Sequence, residues 1–204
     1  MTRLRLLAAG TMAAAIGIAG GSSTAAAAPP PLPNHVRNGG FEQPPIPAGS
    51  SHSFASIPGW RLAFGPDIEL QNHVAGNPAA GLQFAELDSD ASSGIYQMVP
   101  TTPNRLYRVQ FSFSPRPGTS AAENVLVVRW RGRVVATVSA SGLGLSDTRW
   151  QLVAVKVRAA RTATRLEFAD AGISDSVGTE LDGVSVTRWR GHPPRARRGG
   201  GDGP

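Results

Sequence analysis

The sequence predicts an all-β domain, a sandwich or a barrel of many short strands, and three observations carry that prediction. Apolar and polar residues alternate with period two through the middle of the chain. Turn signals built on Gly, Pro and Asn recur at short intervals between the alternating runs. Beyond residue 28 no segment repeats its apolar positions at helical spacing, and no internal repeat is present.

The elements follow in chain order. Trp60–Phe64 is the first candidate strand, and Gly65-Pro66 separates it from Ile68–Gln71. Leu82–Leu87 lies beyond the Asn77-Pro78 turn, and Ile95–Val99 comes next. Tyr107–Phe113 alternates strictly, with Tyr107, Val109, Phe111 and Phe113 on one face and Arg108, Gln110 and Ser112 on the other, the pattern of a half-buried strand. Pro115–Gly118 then turns the chain. Val125–Trp130 and Val134–Ser139 flank Arg131-Gly132, and Gly142–Gly144 leads to Trp150–Arg158, where Val153, Val155 and Val157 share a face. Arg165–Phe168 and Leu181–Thr187 complete the set. Trp130 and Trp150 fall among strand residues and are expected in the core.

Residues 1–28 read as a secretory signal peptide: Arg3 and Arg5, an apolar stretch from Leu6 to Ala19, then a small-residue run from Ser22 to Ala28 with A-x-A sites. The apolar stretch is short for a membrane span, and no second one follows. Residues 29–35 contain Pro-Pro-Pro-Leu-Pro, an extended linker. Residues 36–187 form the domain, of ordinary length for one core. Residues 188–204, rich in Arg, Gly and Pro, are expected to be a disordered basic tail. The expectation is a secreted, extracellular, monomeric protein without a membrane anchor.

The net charge of +6 belongs to the ends. Residues 36–187 hold thirteen of the twenty basic residues and thirteen of the fourteen acids. A nucleic-acid binder needs a basic face on its folded part, so the count argues against one. The chain has no cysteine, so no disulfide supports the fold.

Catalytic signatures are sparse. No G-x-S-x-G elbow occurs, and the four histidines, His35, His52, His73 and His192, lack metal-ligand spacing. Glu69, Glu86 and Asp88 are the carboxylates from which a glycosidase pair would be drawn. Sugar recognition instead asks for aromatic faces and planar polar groups. On expected loops and strand ends these are Trp60, Glu69, His73, Glu86, Asp88, Arg116 and Asp175.

The domain opens with Asn38-Gly39-Gly40-Phe41-Glu42, continues through Ile57-Pro58-Gly59-Trp60 and closes with Leu181-Asp182-Gly183-Val184-Ser185-Val186. In these segments it resembles the galactose-binding-like carbohydrate-binding modules. Phe84–Asp88, Gly94–Gln97, Tyr107–Pro117 and Ser174–Asp182 are similar to secreted bacterial proteins of that superfamily and to plant cell-wall proteins with a domain of unknown function. The resemblance implies an antiparallel jelly-roll sandwich. It also implies a structural calcium ion held by Glu42 and Asp182 with carbonyls near Gly40. The functional expectation is a non-catalytic module binding cell-wall or extracellular polysaccharide. A structural or adhesive matrix protein and a small glycoside hydrolase are the alternatives.

Overall fold

The computed structural model describes residues 30–190. The expected signal peptide lies outside them, as does the expected tail beyond Arg190. Twelve strands make up the regular structure: β1 (Ser50–Phe54), β2 (Ser56–Ile57), β3 (Trp60–Phe64), β4 (Ile68–Asn72), β5 (Phe84–Glu86), β6 (Gly94–Pro100), β7 (Leu106–Ser114), β8 (Val125–Trp130), β9 (Arg133–Ser139), β10 (Gln151–Arg158), β11 (Ala163–Asp170) and β12 (Glu180–Arg188). They form two six-stranded sheets, in the orders β1-β4-β5-β12-β7-β10 and β2-β3-β6-β11-β8-β9. Every pairing is antiparallel. Between a sandwich and a barrel, the chain forms the sandwich.

Alternation decides which face of each strand is buried. Ile68 and Leu70, Ala85, Val109 and Phe111, and Leu181 point inward from the first sheet. Trp60, Ile95 and Val99, Leu126 and Val128, and Leu166 and Phe168 meet them from the second. Each such large side chain contributes about 1.5–3 kcal/mol of burial. Aromatic rings fill the space between the sheets: Phe111 of the first packs edge-on to Phe168 of the second at 5.1 Å between centroids, and Trp60, in the same sheet as Phe168, packs on it at 6.0 Å. The strands β1 and β2 carry no alternating apolar signal, which is why the sequence gives no sign of them; β1 is a serine-rich edge strand with an exposed centre.

The two ends of the domain meet. The Val184 amide donates to the Gly39 carbonyl at 2.8 Å, and a β-carbon on Gly39 would collide with the Val184 carbonyl. Only glycine permits that approach, which accounts for it in the Asn-Gly-Gly-Phe-Glu opening. The approach coincides with a bulge in β12 between Asp182 and Ser185. Residues of the expected linker join in: Asn34 Oδ1 accepts from the Val186 amide at 2.9 Å, and the His35 amide donates to the Val186 carbonyl at 2.9 Å.

Candidate functional site

The polar side chains predicted for a site fall into separate groups. The first lies on the outer face of the first sheet. With Leu70, Ala85 and Leu181 turned inward, period two turns Glu69, Glu86 and Glu180 outward. The register places them side by side across β4, β5 and β12, with Ser114 of β7 continuing the row. This face is covered. Phe84, also outward, is fully buried against the Trp150 ring at 5.6 Å. The Trp150 indole N–H donates to the Asn77 carbonyl at 2.8 Å, and the Asn77 amide donates to Asp147 at 2.8 Å, joining the segments 73–83 and 140–150 above the sheet.

Glu86 and Glu180 are consequently sealed from solvent. Glu86 forms an ion pair with Arg116 and accepts hydrogen bonds from the Gln71 side chain and the Gly178 amide. Burial nevertheless outweighs Arg116 and pushes the Glu86 carboxyl up to about 7. Neither carboxyl oxygen of Glu180 has a partner, and burial, with Glu86 alongside, holds its pKa well above the ordinary carboxylate range. Burial without a partner thus favours the protonated, neutral form of Glu180. Carboxyls closed off in this way cannot deliver a proton or a water to a glycosidic bond.

Glu42 and Asp182 do converge. Glu42 Oε1 accepts from the Leu82 and Gln83 amides at 2.9 and 3.2 Å, and Asp182 accepts from the Ala80 and Gly183 amides. Burial, with a contribution from Glu42, raises Asp182 to about 7 against the pull of those amides. Among the described residues neither carboxylate has a cationic partner. Two neighbouring carboxylates, one buried and without a countercharge, fit a hard divalent cation, and carbonyls would have to supply the remaining oxygens.

The other predicted residues stand apart. Asp88 is buried beyond β5; one oxygen accepts from the Asp175 amide at 3.1 Å and the other has no partner. Asp175 itself is exposed. His73 follows β4, exposed and in a left-handed conformation (φ 60°), with Nδ1 2.6 Å from Asn72 Oδ1. It borders a cavity of about 400 Å³ with Asn77 and Asp147. Trp60 is corrected from a stacking face to a core residue: it is fully buried, stacked on Phe41 at 5.6 Å, with its N–H bonded to the Asn38 carbonyl at 2.9 Å. Trp150, expected in the core between the sheets, instead roofs the outer face of the first sheet.

A further opening lies on the second sheet, where of the predicted site residues only Trp60, at its floor, takes part. A cleft of about 790 Å³ runs over β2, β3 and β6, lined by Arg37, Arg61, Tyr96, Gln97 and Met98. Arg61 and Tyr96 are register partners on the outward face. The Arg165 guanidinium lies 3.8 Å from the Tyr96 ring centroid, and its charge is shared with Glu167 at 2.8 Å. Met98 is 53% exposed. All these residues sit in strands or turns that the sequence marks, but their assembly depends on β3, β6 and β11 lying side by side, which alternation alone does not encode.

No family model matches the chain, and no curated protein matches it. Solved structures do. An α-L-arabinofuranosidase with arabinose bound aligns with a TM-score of 0.53 at 13% identity, over 76% of this chain and 26% of the enzyme. The chain thus spans about a quarter of that protein's length. A family 16 carbohydrate-binding module (TM-score 0.49, 15% identity, 76% of this chain and 99% of that one) is also similar. So is a family 61 module in complex with β-1,4-galactotriose (TM-score 0.45, 14% identity, 77% and 99%). The arabinofuranosidase match agrees with the two-sheet antiparallel β-sandwich described above. Likeness at these identities speaks to fold alone.

Proposed function

We propose that this protein is a secreted, non-catalytic carbohydrate-binding module whose ligand lies in the cleft over β2, β3 and β6. The cleft carries the reading. It is open and of ligand size, and it offers the guanidinium groups of Arg37 and Arg61 beside the Tyr96 ring. Gln97, buried beneath, holds the Arg37 backbone in place through both its amide atoms. Guanidinium groups and an aromatic ring are what sugar hydroxyls and apolar sugar faces require. The sequence resemblance to carbohydrate-binding modules points the same way. A non-catalytic role is supported by the sealing of Glu86 and Glu180, which leaves Glu69 as the one carboxylate of that row with access to solvent. The polysaccharide is proposed to be extracellular or part of a cell wall, in keeping with the leader expected at residues 1–28.

Calcium at Glu42 and Asp182 is part of the proposal. It would supply the positive charge that Asp182 lacks and tie the opening segment to β12. A glycan-array screen of the full chain, with calcium and then with EDTA, tests both. Retention on a few glycans, competed by free sugar, is expected. Partner capture indifferent to sugar would favour an adhesive matrix protein, and release of shortened sugars would mean a hydrolase.

A further inference from the structure

The domain is neutral by count but polarised in space. At one end, the turn after β6 carries Arg105, the β8–β9 hairpin carries Arg131 and Arg133, and the β10–β11 connection carries Arg158 and Arg161. There too β12 runs out through Arg188 and Arg190. All seven are exposed, and none forms an ion pair among the described residues. The segments 101–105, 131–132, 159–162 and 188–190 contain no Asp or Glu. The acids gather at the other end, in the turns bearing Asp67, Asp88, Asp90, Glu123, Asp147 and Asp175, where the arginines are Arg116 and Arg149. Even numbers of charges therefore do not exclude a basic face.

Two recesses open at the basic end. One, of about 690 Å³, is lined by Arg105, Arg158, Arg188 and Arg190 around Trp189, a ring 39% exposed with Lys156 Nζ 5.4 Å from its centroid. The other, of about 290 Å³, is lined by Arg131, Arg161 and Arg165 and adjoins the Tyr96 cleft through Met98, which lines both. No acidic side chain lines either.

We propose that this end is a second binding surface, centred on the Trp189 recess, which shares no lining residue with the Tyr96 cleft, and that it takes an anionic polysaccharide. Guanidinium groups match carboxylate or sulfate oxygens two at a time. The exposed Trp189 face among them suits the apolar face of a sugar ring. Polysaccharide as the polymer rests on the carbohydrate reading above; the polarity of the domain does not. The acidic far end disfavours a duplex nucleic acid, whose dense negative charge it repels.

The test measures binding of the full chain to polygalacturonate, to its methyl-esterified counterpart and to double-stranded DNA, at low and at moderate salt. Polygalacturonate is expected to bind, about tenfold or more tighter than the ester, and to weaken by about tenfold as salt screens the contacts. The variant Arg105→Gln/Arg161→Gln/Arg188→Gln should lose about tenfold with its melting temperature unchanged, these side chains being exposed and unpaired. Changing Arg195, Arg197 and Arg198 to Gln separates the folded surface from the chain that follows it, and Arg149→Gln is the control at the acidic end. Equal binding of acid and ester, loss only in the Arg195/197/198 variant, or tighter binding of DNA would each overturn the proposal. A separate titration with neutral oligosaccharides reports on the Tyr96 cleft: neutral binding without polygalacturonate binding sinks this surface alone, and the converse pattern sinks the cleft.

Discussion

Acidification should stabilise this protein between pH 7.5 and 4.5, and the buried carboxyls set the size of the effect. Glu86 moves from an ordinary 4.5 to about 7 on folding, worth about 3 kcal/mol, and Asp182 moves from 3.8 to about 7, worth about 4 kcal/mol. In this window the folded state binds more protons than the unfolded chain, so stability is greatest near pH 4.5 and is lost as pH rises through 7. Glu180, Asp88 and Asp170 are raised as well and add in the same direction. Glu123 and Asp147 are lowered by hydrogen bonds, Ser120 acting on the first and Asn77 on the second, and their opposite effect falls below pH 4.5. Allowing for relaxation around charged carboxylates, a net gain of about 3 kcal/mol is expected, or roughly 6–12 °C in Tm for a domain of this size. The assay is a thermal melt across pH in EDTA, because a cation at Asp182 would replace the proton. Glu180→Gln, which mimics the protonated acid, should flatten part of the curve. A Tm that stays level or rises from pH 5 to 7.5 would refute the reasoning.

Other outcomes follow from the packing. Trp60→Ala should cost about 3–5 kcal/mol in a denaturant melt, since the ring is fully enclosed between Phe41 and Phe168. Gly81→Ala puts a β-carbon into the Glu42 carboxylate at a residue with φ 72°, so a loss of about 1–3 kcal/mol is expected, with weaker calcium stabilisation. Calcium should raise the Tm of the wild type and EDTA should lower it; an indifferent Tm would remove the metal from the account.

Much of the sandwich was legible because inward and outward residues alternate with little interruption, as in Tyr107–Phe113. The strands missed, β1 and β2, are too polar or too short to show alternation. The candidate site was harder to read. Glu69, Glu86 and Arg116 were singled out as polar groups near strand ends, and they do cluster, but nothing local revealed that the segments 73–83 and 140–150 would close over them. Glu180 sits next to Leu181 in a segment read as the closing strand, and its outward, roofed position follows only from the pairing with β5. Trp60 illustrates the opposite error: at the start of a candidate strand after Pro-Gly it reads as a stacking face, yet it begins β3 on the inward face. The charge polarity is a property of which turns share an end, so composition could not disclose it.

The most direct test of the carbohydrate-binding assignment is an amide chemical-shift titration of the isotope-labelled protein with a neutral oligosaccharide retained on the array. The account predicts shifts centred on Arg61, Tyr96, Gln97 and Met98, abolished by Tyr96→Ala. Shifts confined to residues 73–83 and Arg116, or none at any sugar concentration, would contradict it.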